Sequence, residues 1–151
     1  MPPSDEGGAV PLGSLYQELI LDHYRRPRNR GKLDHPDVTI RKKNPLCGDE
    51  IELQIQFDGD TVREVRFGGQ GCAISQASAS MMTQRLKGKK AAEVNDVLAR
   101  FTQLVEGNED AAHDASLGDL RSLAGVSRLP VRHSCALLAW RALADAIVSR
   151  G

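Results

Sequence analysis

Excess charge is the first thing the sequence lacks: 20 Lys and Arg stand against 20 Asp and Glu. A balanced chain offers no broad electrostatic footprint for nucleic acid or for an anionic membrane surface. It also lacks any run near the ~20 apolar residues that a membrane-spanning helix requires. The first 13 residues have no basic segment followed by an apolar one, so no secretory signal is read there. They carry Pro2, Pro3, Gly7, Gly8, Pro11 and Gly13, and are expected to form a flexible tail (residues 1–13) ahead of a single domain (residues 14–151). No internal repeat is visible. Cysteine is scarce and odd in number, with three residues and no CxxC pair. Three thiols cannot all pair within one chain. Without an export signal the expected compartment is the cytoplasm, where thiols stay reduced. A disulfide framework is thereby set aside in favour of metal binding or sulfur chemistry.

What is present is an ordered succession of patterns. Leu15, Tyr16, Leu19, Ile20 and His23 follow helical spacing, with Ser14 as a candidate cap and Pro27 as the stop. Val38-Thr39-Ile40 is a short strand candidate. Ile51, Leu53, Ile55 and Phe57 alternate with polar residues, the period of a half-buried strand. Asp58-Gly59-Asp60 turns the chain into a second strand, Val62 to Phe67, with Val65 and Phe67 on one face. Gly68-Gly69-Gln70-Gly71 is read as the end of the sheet, delivering Cys72 to a small-residue helix from Ile74 to Leu86. Residues 91–105 carry Val94, Val97, Leu98, Phe101, Leu104 and Val105 at amphipathic spacing. A polar loop is expected over Gly107 to His113, and a short helical piece around Leu117, Leu120 and Leu123. A final buried helix is expected from about Cys135 to Ser149, after Pro130. Strands precede most helices, so the expected class is α+β, a small antiparallel three-stranded sheet packed against several helices. The basic clusters Arg25 to Arg30 and Arg41-Lys42-Lys43 are read as solvated surface rather than as a docking site for an acidic partner. Asp22, Asp34 and Asp37 show no partner in the sequence.

On this reading Cys47, Cys72 and Cys135 all fall at element boundaries, where unpaired backbone N–H groups stabilise thiolates. Cys47 and Asp49 flank Gly48, and in an extended segment they would project to the same side. Three thiolates and one carboxylate suit tetrahedral zinc, and equally a small iron–sulfur cluster. An oxygen ligand matches a soft metal less well than sulfur, so Asp49 makes such a site more exchangeable, as transfer requires. The plain alternative is that each cysteine is a small buried apolar side chain. Met81 and Met82 are read as core residues, and His23 is given no chemistry.

The surrounding motifs narrow this. Leu15-Tyr16 with Asp22-His23-Tyr24-Arg25-Arg26-Pro27-Arg28-Asn29 resembles the opening helix of the IscU/SufU (NifU N-terminal-like) family of iron–sulfur assembly proteins. Asn44-Pro45-Leu46-Cys47-Gly48-Asp49 resembles that family's first ligand loop, and Phe67-Gly68-Gly69-Gln70-Gly71-Cys72-Ala73-Ile74-Ser75 its second. Arg132 and Cys135-Ala136-Leu137-Leu138-Ala139-Trp140 resemble its third. The long interval between Cys72 and Cys135, and Ser134 where the scaffold branch has histidine, are similar to the SufU branch. The resemblance implies a zinc-containing acceptor of sulfur from a SufS-type cysteine desulfurase, itself not an enzyme, acting ahead of downstream cluster-assembly proteins. It implies Cys47, Asp49, Cys72 and Cys135 as metal ligands, with Cys47 as the persulfide acceptor. The alternatives are a [2Fe–2S] scaffold on the same ligands, or a structural zinc module that only binds a protein. His133 departs from the SufU pattern, and is a conceivable substitute ligand or a residue with no role at the site. Arg132 is a candidate for stabilising the thiolates.

Overall fold

A computed structural model describes residues 13–46 and 48–150. The expected flexible tail, Gly13 apart, falls on residues outside that range, and the side chain of Ser14, with its expected capping role, is likewise outside what is described. Helix α1 (Gly13–Arg25) leads to three strands, β1 (Val38–Asn44), β2 (Asp49–Asp58) and β3 (Thr61–Gln70). Helices α2 (Ala73–Leu86), α3 (Ala91–Val105) and α4 (Glu109–Ala112) follow, then a 3₁₀ segment (Ala115–Arg128) and α5 (Pro130–Arg150). The sheet is antiparallel in the order β1-β2-β3. The class is α+β. Among the described residues no helix is long and apolar enough to cross a membrane.

The alternation of β2 sends Ile51, Leu53 and Ile55 into the core. In β3 the simple period fails at one point. Continuing back from Phe67 and Val65 would turn Arg63 inward. Instead the pairing shifts between Gln56 and Phe57, setting Phe57 opposite Val62. This bulge leaves Arg63 exposed and buries Val62 fully.

The glycine run does not end the sheet. Gly68 and Gly69 are β3 residues paired with Glu52 and Ile51. A Cβ on Gly69 would sit 2.2 Å from the Glu50 carbonyl oxygen, and its φ of 113° is one that side chains rarely adopt. Glycine here lets two backbones approach, a strand role rather than a breaking one.

Helix α2 is buried on nearly every side, and its small residues let α1 and α5 pack close against it. Hydroxyls then satisfy the polar groups that such packing encloses. Ser78 Oγ donates to the Ala136 carbonyl (2.7 Å) and accepts from Trp140 Nε1 (3.0 Å). Trp140 stacks on Phe101 at 4.5 Å between ring centroids, joining α5 to α3. Met81 and Met82 lie in the core, as expected.

His23, fully buried, joins three elements. Its Nδ1 lies 2.8 Å from Ser80 Oγ on α2, and its Nε2 lies 3.3 Å from Asp119 Oδ2 on the 3₁₀ segment. The Arg28 backbone N–H already donates to Ser80 Oγ, so the hydroxyl proton is available to His23 Nδ1. Nε2 then carries the ring proton and donates to Asp119. Burial pushes the His23 pKa below its usual value, although the Asp119 hydrogen bond opposes this.

Two carboxylates that show no partner in the sequence have partners in the fold. Asp22 accepts from Arg28 and Arg26, which bring its pKa down to about 2. Asp37 accepts the Phe57 backbone N–H at 2.7 Å. Part of the basic cluster is thus engaged: Arg30 donates to Gln76 and Gly69 and lies over the Phe67 ring.

The expected loop at residues 107–113 contains the single turn α4, capped by Asn108. The last helix begins earlier than expected, at Pro130. A proline is well placed in a first helical turn, where its missing N–H has no intrahelical partner anyway. Cys135 therefore lies inside α5, in its second turn, rather than opening the helix.

Candidate metal centre

Asp49, Cys72 and Cys135 converge at one end of the sheet although they lie on three separate elements. One ligand atom from each falls within 4.8 Å of the other two. Asp49 is the first residue of β2 and is 2% exposed; Cys135 is 1% exposed, and Cys72 is half-buried. Cys72 and Cys135 are both present as thiols, outside any disulfide. The fourth residue implied by the family resemblance, Cys47, lies outside the described residues.

Each side chain is brought there by a local device. Cys72 is the N-cap of α2, and its backbone N–H donates to Asp49 Oδ1 at 2.9 Å. That bond leaves Asp49 Oδ2 facing the thiol, 3.8 Å from Cys72 Sγ. Gly71 makes room for the carboxylate: a Cβ there would lie 2.6 Å from Asp49 Oδ1 and 2.4 Å from Ser75 Oγ. Gly48 is left-handed, with φ 72°, and its N–H donates to the Asn44 carbonyl at 2.9 Å. The chain turns at Gly48 instead of running extended into β2.

Charge at the site comes from α5. Arg132 hydrogen-bonds the Cys135 sulfur and faces Cys72, and these contacts raise the guanidinium pKa above its usual value. His133 does not join the cluster. Its Nε2 donates to the Ser127 carbonyl at 3.2 Å, and it is absent from the potential metal-binding group.

Asn44 is the neighbour whose part sequence reasoning missed. It pairs with Asp49 across the hairpin and is 5% exposed. Its carboxamide reaches both Leu46 and Ser134. Nothing in sequence spacing marks the contact with Ser134, which is created by the docking of α5 on β1. The donor set suits zinc: two soft thiolates and a carboxylate, close enough to share one ion.

Fold and site together define a small α+β protein with a cluster of two thiols and a carboxylate that could share a metal ion. Residues 15–149 match the family described as NifU-like N terminal domain. The chain is 45% identical over 133 residues to the zinc-dependent sulfurtransferase SufU of Bacillus subtilis (strain 168), an alignment covering 87% of this chain and 88% of that one. It is 41% identical to the iron–sulfur cluster assembly scaffold protein IscU of Streptococcus pyogenes serotype M1, over 90% and 84% of the two chains. Among solved structures it resembles a protein described as a putative iron–sulfur cluster assembly scaffold for the SUF system of Fervidobacterium islandicum AW-1. There the TM-score is 0.80 at 34% identity, covering 86% of this chain and 94% of that one. The chain belongs to the NifU-like N-terminal domain family, with SufU and IscU proteins as its relatives.

Proposed function

We propose that this protein is a cytoplasmic, zinc-dependent acceptor of persulfide sulfur in iron–sulfur cluster assembly, loaded on Cys47 by a SufS-type cysteine desulfurase. The carrying observation is the gathering of Asp49, Cys72 and Cys135 within 4.8 Å, with Cys47 two residues before Asp49 in the sequence. These three residues would hold the ion with Cys47 as fourth donor. Zinc so bound keeps thiols deprotonated and protected.

The chemistry of transfer belongs to Cys47. Its thiolate attacks the outer sulfur of the partner's cysteine persulfide. A new S–S bond forms at Cys47, the partner's S–S bond breaks, and the partner cysteine leaves as a thiolate. The outer sulfur keeps its proton, so atoms and electrons balance with no added oxidant or reductant. Arg132, beside Cys72 and Cys135, supplies positive charge where thiolate charge gathers. The chain is consumed as acceptor and regenerated downstream, so it serves as co-substrate of the desulfurase rather than as an enzyme in its own right.

The test is labelled sulfur transfer from desulfurase and ³⁵S-cysteine. Wild type acquires label removable by reductant, and Cys47→Ala does not; equal labelling of the two would sink the reading. The similarity to the Streptococcus IscU, whose name is that of a scaffold, supports a second reading: a [2Fe–2S] cluster on the same residues. Colourless protein with one zinc favours the relay, and brown protein with acid-labile sulfide favours the scaffold. A structural zinc module would show neither label nor cluster.

A further inference from the structure

We infer that Asn44 and Ser134 form a clasp that positions the ligands and sets how tightly this chain holds its metal. The inference rests on the zinc reading above and adds two residues that would not touch the ion.

The orientation of the Asn44 carboxamide is fixed by chemistry. A backbone N–H can only donate, and the Leu46 N–H lies 3.1 Å from one carboxamide atom, so that atom is Oδ1. The amide nitrogen must then point the other way. There Nδ2 donates to Ser134 Oγ at 2.9 Å and stands 4.0 Å from Cys135 Sγ. Meanwhile the Asn44 carbonyl accepts the Gly48 N–H, and Asn44 pairs with Asp49 in the sheet. One buried residue therefore ties the turn, the strand that begins with Asp49, and the helix that carries Cys135.

Ser134 directly precedes Cys135, so a bond to Ser134 fixes α5 against the strand end beside the very residue that must meet Asp49. Without it, α5 is held to β1 farther along the helix, by apolar packing and by the Lys42–Asp145 ion pair near the other end of the contact. Packing is non-directional, whereas a hydrogen bond aims. Outer partners that orient metal ligands are worth about 10–100-fold in affinity.

The experiment measures zinc affinity by competition with a chromophoric chelator, for the full chain and for Asn44→Ala, Ser134→Ala, the double variant and Ser134→Thr. Asn44→Ala and Ser134→Ala are each expected to weaken binding about tenfold. The double variant should be no weaker than Asn44→Ala alone, because Asn44→Ala already removes the bond to Ser134. Ser134→Thr keeps the hydroxyl and should restore wild-type affinity, which a mere packing role at that position would not predict. Cobalt-substituted protein should show shifted d–d bands in both alanine variants and unshifted bands in Ser134→Thr. If Asn44→Ala does not fold, Ser134→Ala and Ser134→Thr decide the matter. Wild-type affinity in Ser134→Ala, or losses that add in the double variant, would overturn the clasp alone. Failure of the wild-type chain to bind zinc would overturn both the clasp and the reading beneath it.

Discussion

Asp49 Oδ1 accepts the backbone N–H of Cys72 at 2.9 Å, so one candidate ligand is oriented by the main chain of another. The strand start and the helix start are locked together before any ion arrives. Replacing Asp49 separates two effects that this bond joins. Asp49→Asn retains an acceptor for the Cys72 N–H but loses the anionic oxygen. The metal-free protein should keep most of its stability in urea unfolding, while zinc affinity in a chelator assay falls by roughly 100-fold or more, beyond the loss expected for an outer partner. Asp49→Ala should also lower the stability of the metal-free form, by about 1–3 kcal/mol, because it strands the N–H.

The glycines make a contrast that urea unfolding can read. Gly69→Ala must fit a Cβ 2.2 Å from the Glu50 carbonyl at φ 113°, and should cost about 3 kcal/mol through strain and crowding together. Gly48→Ala meets nothing within 4 Å and bears only its left-handed backbone at φ 72°. It should cost about 1–2 kcal/mol. Equal costs would mean that backbone conformation, and not the close approach of β2 and β3, dictates Gly69.

His23 should make folding acid-sensitive. Its pKa is lowered by burial, so between the unfolded value near 6.5 and the lower folded value only the unfolded chain takes up the proton. Stability is therefore undiminished above about pH 6.5. It declines as pH falls from there toward the folded pKa. His23→Gln should flatten that part of the stability profile measured by denaturant unfolding in steps from pH ~7.5 to ~5, while lowering stability at neutral pH through the loss of packing.

Ser78 is the hinge of a buried pair of hydrogen bonds, accepting from Trp140 and donating to Ala136. Ser78→Ala leaves the indole N–H buried without that acceptor, at a cost of about 1–3 kcal/mol. Chemical denaturation followed by the fluorescence of the single tryptophan should show an earlier midpoint with an unchanged slope.

The sequence carried the fold wherever burial follows a simple period. Ile51, Leu53 and Ile55 announced β2, and the spacing of Val94, Phe101, Leu104 and Val105 announced α3. It misled where one residue type serves two purposes. Gly68 and Gly69 resemble a break, yet permit close pairing within β3. Pro130 resembles a boundary, yet occupies the first position of α5. Val62 turns inward only because of the bulge, which pairing with β2 creates and β3 alone does not announce. Of the site, Asp49, Cys72 and Cys135 stood out as a carboxylate and thiols at expected element boundaries, and the family likeness implied that they share an ion. The contacts of Asn44 with Ser134 and of Arg132 with Cys135 arise from how α5 docks, which no local pattern encodes.

The three gathered candidate ligands come from a strand, the cap of one central helix and the body of another. Any ion they share is therefore a cross-link between parts of the chain far apart in sequence. Binding that favours the folded chain stabilises it by mass action. Occupancy and rigidity thus become a single coupled equilibrium: chelation loosens the junction of sheet and helices, and whatever loosens that junction eases release of the ion.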